Sequence, residues 1–390
     1  MSSTGNHAIV FGASGISGWE ACRQLLSYPT AITFSQVTGL TNRPLTREAA
    51  LLPLDPRLGL FAGLDLQKPV HEVVKDLSKI PHIETVTHVF YYAYKHIEDP
   101  VEFNKVNTTM LETAIIALMK IGAPLKHVML QTGAKGYGAE YYGQVEFPPI
   151  PLKESTPRLP EPYASQIFYY SQVDVLKRLS VGKSWTFSEV RPDNIIGFVP
   201  NFNSMNEAQV FGVYLSLYRA VHGEGAEVPF PATNAAYKIM TTEASTGTLA
   251  KFQIHVSLND DKFENGEAFN VGDKAASFET KWPAMAAYFG LKGVPPKQDN
   301  PQDAMEKWVH DHVETWARLE GRYGLKAGAI EGTGWWFGNI VIWAFFDRPF
   351  DLTKMKRVGF EEDDDTVKGY YAAWDLYKKA KIIPDIDVDM

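Results

Sequence analysis

Over the first 200 residues, apolar and polar positions follow two rhythms in turn. Five short apolar runs have the length and β-branched content of buried strands: "HAIVFGA" (7–13), "ITFSQVTGLT" (32–41), "VTHVFYYAY" (86–94), "LKHVMLQTG" (125–133) and "WTFSEVRPDNIIGF" (185–198). Between them, apolar residues recur at helical spacing in "GWEACRQLLSY" (18–28), "NKVNTTMLETAIIALMKIG" (104–122) and "ASQIFYYSQVDVLKRLSV" (164–181). Strand and helix in alternation imply parallel strands joined by right-handed crossovers. The expected fold class is therefore α/β, a Rossmann-type doubly wound parallel sheet.

Past about residue 200 the rhythm changes. Aromatic-rich helical stretches take over, as in "AQVFGVYLSLYRAVHG" (208–223) and "DAMEKWVHDHVETWARLEGRYG" (303–324), with loops carrying proline and glycine. This pattern predicts a nucleotide-binding Rossmann domain over 1–200, with part of 230–275 returning to it, and a smaller, mainly helical C-terminal substrate lobe over 201–390. "EEDDD" (361–365) reads as a short solvated charge run.

Composition removes several function classes. The 390 residues carry a formal net charge of -8, and no basic stripe is visible, which argues against a nucleic-acid partner. The single cysteine, Cys22, excludes internal disulfides and a multi-cysteine metal site, so no metal is expected and a reducing, cytoplasmic setting fits. The opening "MSSTGNHAIVFGAS" supports neither a signal peptide nor an anchor, and no apolar stretch reaches the roughly 18 residues of a membrane span.

The first motif with chemistry is "FGASGISG". Gly12, Gly15 and Gly18, with Ser14 and Ile16 among them, follow the first strand and open the first helix. Such spacing permits a tight turn and close backbone approach to a pyrophosphate, whose charge the helix N-terminus favours. At the end of the second strand a site for unphosphorylated NAD places a carboxylate, whereas a 2′-phosphate wants a cation. This chain offers Thr41, Asn42 and Arg43, with no acid until Glu48, so NADP(H) is the expected cofactor and Arg43 the expected phosphate ligand. Asp65 and Leu66, after the third strand, are candidates for the adenine side.

Short-chain dehydrogenases pair a tyrosine with a lysine four residues later on one helix face. Three such pairs occur, Tyr91 with Lys95, Tyr288 with Lys292 and Tyr377 with Lys381, and none lies on the helix where the active site is expected. On that helix Tyr169 is followed at the fourth position by Val173.

The blocks "FGASGISG", "HVMLQTGAKGYG", "FYYSQVD", "VRPDNIIGFVP", "EAFNVGD" and "TGWWFG" occur in an order and spacing that resembles the progesterone 5β-reductase and iridoid synthase-like (PRISE) enone reductases. These form an atypical branch of the short-chain dehydrogenases, and the resemblance runs from about residue 7 to 385. It implies NADPH-dependent 1,4-reduction of an enone or enal. It also implies that Lys135 replaces the missing helical lysine and that Tyr169 is the catalytic tyrosine. The chemistry agrees: hydride delivered to the β-carbon leaves an enolate, which needs a donor at its oxygen. Tyr169 would hold that oxygen beside the cofactor, and Lys135 would bias the phenol toward sharing its proton.

Thr132, Gly133, Pro192, Asn194 and Ile195 are expected around the cofactor, and Tyr137, Asn194, Trp335, Trp336 and Phe337 around a greasy pocket for a small hydrophobic carbonyl substrate. The chain departs from the family pattern at Gly136, at Val173–Asp174 and over the proline-rich segment 136–162. An ene-reductase of secondary metabolism leads the readings. A carbonyl 1,2-reductase, a non-reductive isomerase or cyclase, and a non-catalytic NADP-binding protein stay open, as does the oligomeric state, for which a homodimer is one candidate.

Overall fold

The computed structural model describes residues 5–42, 44–362 and 365–386. The chain forms two units: residues up to Asp193 with Leu249–Val271 and Phe350–Glu362, and Asn194–Thr248 with Gly272–Pro349 and the stretch after Glu362.

In the first unit seven strands make one sheet: β1 (Asn6–Phe11), β2 (Phe34–Thr41), β3 (Leu58–Ala62), β4 (His88–Tyr91), β5 (His127–Gln131), β6 (Thr186–Arg191) and β7 (Glu267–Asn270). The spatial order is β7-β6-β5-β4-β1-β2-β3 and every pairing is parallel, as a doubly wound sheet requires. Helices α1 (Ile16–Gln24), α2 (Val70–Leu77), α3 (Pro100–Ile121) and α4 (Phe168–Ser180) connect them. Local sequence sets the limits of α3: Asp99 accepts a hydrogen bond from the Glu102 N–H at 2.7 Å, Pro100 opens the first turn, and Gly122 closes the helix with φ 83°. Its apolar face, with Leu111 and Ile115, packs with Ile9, Val89, Val128 and Phe187 in one core.

Three histidines lie buried at the amino ends of the strands. His7 of β1 meets Thr38 at 2.8 Å, His88 of β4 meets Thr87 at 2.8 Å, and His127 of β5 meets Ser188 at 2.9 Å. Burial lowers their pKa values to about 4, 3 and 3.

The second unit contains α5 (Glu207–His222), α6 (Phe278–Ala287), α7 (Trp335–Ile342) and α8 (Thr366–Lys379). Two short parallel pairs accompany them, Ile195–Ile196 with Ala244–Ser245 and Glu227–Pro229 with Lys292–Val294. The aromatic richness of this half goes into its core, where Phe211 lies 5.6 Å from Trp282 and Phe230 lies 4.7 Å from Phe278, measured between ring centres. Wholly buried Glu207 faces Glu243, itself paired with Lys281. Among the described residues neither Glu207 oxygen has a hydrogen-bond partner within ordinary distance, and burial followed by the Glu243 charge holds its carboxyl well above the usual carboxylate range.

Three expectations need correction. The stretch 303–324 is not one helix but two, Ala304–Asp311 and Val313–Tyr323, interrupted at His312, whose Nδ1 donates to the Trp308 carbonyl at 2.7 Å. The stretch 164–181 begins as a single 3₁₀ turn, Ala164–Gln166, and α4 starts afresh at Phe168. In "EEDDD", Glu362 pairs with Lys251 at 2.7 Å and Asp365 caps α8, while residues 363 and 364 lie outside the described residues. Among the described residues no helix is long and apolar enough to cross a membrane.

Candidate functional site

In the first unit the functional candidates gather at the carboxyl edge of the sheet. β1 ends at Phe11, and Gly12 turns the chain with φ 91°. A Cβ on Gly12 would lie 3.0 Å from the Ala93 nitrogen, and one on Gly18 only 2.2 Å from the Gly12 carbonyl oxygen, so both positions require glycine. The Gly12 and Ala13 N–H groups donate to the Leu40 carbonyl at 3.1 and 3.0 Å, fixing the loop against β2. Gly15 precedes α1, no side chain caps that helix, and its first turn holds no acid. Its leading N–H groups therefore have no intrahelical acceptor, and Ser14 and Ile16 are half-buried beside them. This cradle fits the pyrophosphate of a dinucleotide.

A chain of hydrogen bonds backs the loop. Tyr92 donates to Gln253 at 2.7 Å, Gln253 to Gln131 at 2.9 Å, and Gln131 to the Ser17 hydroxyl at 2.9 Å. Past β2, Asn42 is exposed, and Arg43 lies outside the described residues. Asp65 accepts the Gln67 N–H at 3.0 Å, bracing its own turn, and Leu66 is buried in the core.

At the end of β5 the "QTG" block is held tightly to β6. Thr132 donates its N–H to the Val190 carbonyl at 2.9 Å and its hydroxyl to Glu189 at 2.7 Å, and the Ala134 N–H donates to the Pro192 carbonyl at 3.0 Å. A Cβ on Gly133 would lie 3.3 Å from that carbonyl oxygen and 3.4 Å from the Tyr169 hydroxyl oxygen, so Gly133 lets the phenol approach. Tyr169 is the second residue of α4. The start of that helix is pinned by Asn104, which donates to the Ser165 carbonyl at 2.7 Å, and by Gln172, which donates to the Asn107 carbonyl at 3.1 Å.

The two adjacent tyrosines differ in their ties. Tyr170 donates to the Gly136 carbonyl at 2.6 Å, accepts the Leu159 N–H at 3.1 Å, and lies under the Arg158 guanidinium, which is paired with Asp174 at 2.7 Å. Among the described residues, the Tyr169 hydroxyl has no hydrogen-bond partner. Burial first, then Glu140, Tyr94 and Glu189, push its phenol above the ordinary tyrosine range. Lys135 sits on the 3₁₀ turn Ala134–Tyr137 that follows β5 and forms an ion pair with Glu140. The cation expected to draw the phenol toward ionisation is thus engaged by a carboxylate, and the Tyr169 pKa moves up. Tyr137 is buried in the first unit's interior, donating to Asn270 at 2.6 Å and accepting from Arg191 at 3.2 Å, so its hydroxyl is committed there.

Other candidates belong to the second unit. The Asn194 carbonyl accepts the Ala244 N–H at 2.8 Å, its buried side-chain nitrogen has no hydrogen-bond partner among the described residues, and Ile195 pairs with Ala244. On α7, Trp335 is buried and donates to the Ile330 carbonyl at 2.9 Å, whereas Trp336 is 53% exposed and Phe337 half-buried against it. None of the three sequence-spaced tyrosine–lysine pairs shares a helix: Tyr91 is in β4, Tyr288 follows α6 before a strand, and Lys381 lies past α8.

Sequence reasoning missed Ser17, Tyr94, Gln131 and Glu140. Gln131 and Ser17 stood in quoted motifs, but their partnership spans 114 positions. Glu140 lies five residues past Lys135, a spacing with no helical or strand meaning.

A family model described as a PRISE-like Rossmann-fold domain matches residues 8–384. The short chain dehydrogenase sirQ of Leptosphaeria maculans is 37% identical, with 97% of this chain and 98% of that protein covered. An (S)-8-oxocitronellyl enol synthase of Nepeta racemosa is 28% identical over 97% of this chain and 93% of its own length. Among solved structures, the UDP-N-acetylglucosamine 4-epimerase of Methanobrevibacter ruminantium M1 superposes with a TM-score of 0.62 at 15% identity, covering 96% of this chain and 99% of that one.

Proposed function

The chain belongs to the PRISE-like Rossmann-fold family and is an oxidoreductase of the short-chain dehydrogenase superfamily, and on that premise we propose that it uses NADPH to reduce the carbon–carbon double bond of a small hydrophobic enone or enal. The observation that carries this reading is the Tyr169 phenol, pushed above the ordinary range, its hydroxyl without a hydrogen-bond partner among the described residues, beside Gly133 at the carboxyl edge of the sheet.

The glycine loop between β1 and α1 binds the cofactor's pyrophosphate through backbone N–H groups, and Asn42 and Arg43 receive the 2′-phosphate where no carboxylate stands before Glu48. The bound cofactor supplies the hydride. Tyr169 donates a hydrogen bond to the substrate carbonyl oxygen and holds it as negative charge develops there, a term worth roughly 100- to 1,000-fold in rate. Its raised pKa keeps the proton on the phenol, so Tyr169 serves as a donor at neutral pH. The enolate carbon then takes a proton from solvent. A relative named as an enol synthase supports a substrate that passes through this oxyanion.

The test is product analysis after incubation with NADPH and a panel of enones and enals. A saturated carbonyl is expected. An allylic alcohol would assign 1,2-reduction instead, and an isomer formed without NADPH consumption would make the reaction non-reductive.

A further inference from the structure

Where the backbone does not ask for glycine, alanine would restrict the unfolded chain and stabilise the fold, so a glycine there calls for another reason. Gly12 and Gly18 have no alternative: the first has φ 91°, and at the second a Cβ would meet the Gly12 carbonyl oxygen at 2.2 Å. Gly133 is different. Its φ of 168° and ψ of −175° are extended backbone that any residue adopts, and a Cβ there would meet no non-neighbouring atom closer than 3.3 Å. Neither backbone conformation nor a hard clash accounts for the missing side chain.

The atoms such a Cβ would touch give the reason. They are the Pro192 carbonyl oxygen at 3.3 Å, the Tyr169 hydroxyl oxygen at 3.4 Å and the Tyr169 Cε2 at 3.7 Å. A side chain at 133 would thus cover the flank of a hydroxyl that has no hydrogen-bond partner among the described residues. Both neighbours are held in place. The Tyr169 ring lies 4.3 Å from that of Phe168, itself 4.8 Å from Phe103 of α3, and the Pro192 carbonyl accepts the Ala134 N–H at 3.0 Å. Gly136, three residues on, supplies the contrast: its φ is not positive, and a Cβ there would meet only the Tyr170 Cε1, at 3.8 Å.

We propose that Gly133 is a specificity-determining residue: the substrate carbonyl reaches the Tyr169 hydroxyl across the bare Gly133 backbone, and the space left by the missing Cβ receives the substituent on the carbonyl carbon, so that ketones fit as well as aldehydes. The inference deepens the ene-reductase reading and rests on it for the nature of the ligand. A Cβ at 133 would leave room for the formyl hydrogen of an enal and crowd the alkyl group of an enone. One methyl group too many in a pocket discriminates by about 10- to 200-fold.

The experiment compares cinnamaldehyde with benzylideneacetone, which differ by one methyl group on the carbonyl carbon, in the wild type, Gly133→Ala and Gly136→Ala. Dissociation constants are read first, on protein loaded with NADP⁺, which has no hydride to give, and kcat/KM with NADPH second. The wild type should bind the two compounds with affinities less than about 10-fold apart. In Gly133→Ala the ketone should weaken at least about 10-fold more than the aldehyde, with NADPH affinity and melting temperature close to wild type, and Gly136→Ala should behave as the wild type. An unchanged ratio in Gly133→Ala, equal losses for both compounds, or the same shift in Gly136→Ala would each overturn the proposal. A wild type that binds the aldehyde and excludes the ketone would overturn it as well, and that comparison decides even if Gly133→Ala does not fold. Turnover separates this failure from that of the function. A wild type that binds both compounds and reduces neither, while the ratio shifts as described, sinks the ene-reductase reading alone, and a working reductase with an unmoved ratio sinks the role of Gly133 alone.

Discussion

Gln131, the last residue of β5, donates a hydrogen bond to the Ser17 hydroxyl in the first turn of α1 at 2.9 Å. Two sequence blocks more than a hundred residues apart are thereby one structure: the strand end that leads to Lys135 also steadies the glycine loop. Replacing Gln131 with leucine removes that donor and leaves Gln253 without its acceptor. A lost hydrogen bond of this kind costs about 1 kcal/mol, so NADPH affinity, read by fluorescence titration, should fall about fivefold. An unchanged dissociation constant would show that the loop holds its shape without the link.

Tyr169→Phe and Tyr170→Phe should separate chemistry from stability. Tyr169→Phe should lower kcat roughly 100- to 1,000-fold while leaving the melting temperature and NADPH binding close to wild type. Tyr170→Phe abandons the Gly136 carbonyl and the Leu159 N–H, which should cost about 1–3 kcal/mol in denaturant unfolding with kcat per folded molecule nearly intact. A reversed pattern would reassign the catalytic tyrosine.

Arg43→Ala tests the choice of cofactor. NADPH binding should weaken about tenfold or more, the loss of one charge-assisted pair, and NADH binding should hardly change. Equal losses for both would remove Arg43 from the phosphate site.

The pH dependence of stability follows from buried groups in each unit. His7, His88 and His127 have folded pKa values of about 4, 3 and 3, below their ordinary 6.5, so above pH 6.5 they are neutral in both states and contribute no slope. Below it the unfolded chain takes up protons first, and stability should fall by about 1.4 kcal/mol per pH unit per histidine until the folded value is reached. Glu207 has the opposite sign: its carboxyl stays protonated in the folded state, so rising pH above the ordinary carboxylate range favours the unfolded chain. Glu207→Gln should therefore raise the urea midpoint at pH 8 more than at pH 5. An equal gain or loss at both would show that Glu207 is charged in the native protein.

Hydrophobic rhythm was enough to place five of the strands, because parallel strands covered on both faces read as continuous apolar runs, as "HAIVF" and "HVMLQ" do. It could not find β7, four residues long and reached only after the chain leaves the first unit and returns. The glycine loop was readable because its spacing is a steric requirement, evident at Gly12 and Gly18. The ion pair at Lys135 was not, because it depends on a double turn with no periodicity. The split at His312 escaped notice because the apolar pattern continues across the break.

The return of Leu249–Val271 to the first unit sets a limit on how the gene can be cut. A fragment ending at Asp193 lacks β7, which leaves β6 as an open edge strand, the kind of surface that seeds aggregation. It also lacks Gln253, the middle link behind the cofactor loop, and Asn270, the partner of Tyr137. The cofactor-binding unit is contiguous in space but not in the gene, so a soluble minimal version would have to splice 249–271 and 350–362 onto the amino-terminal segment.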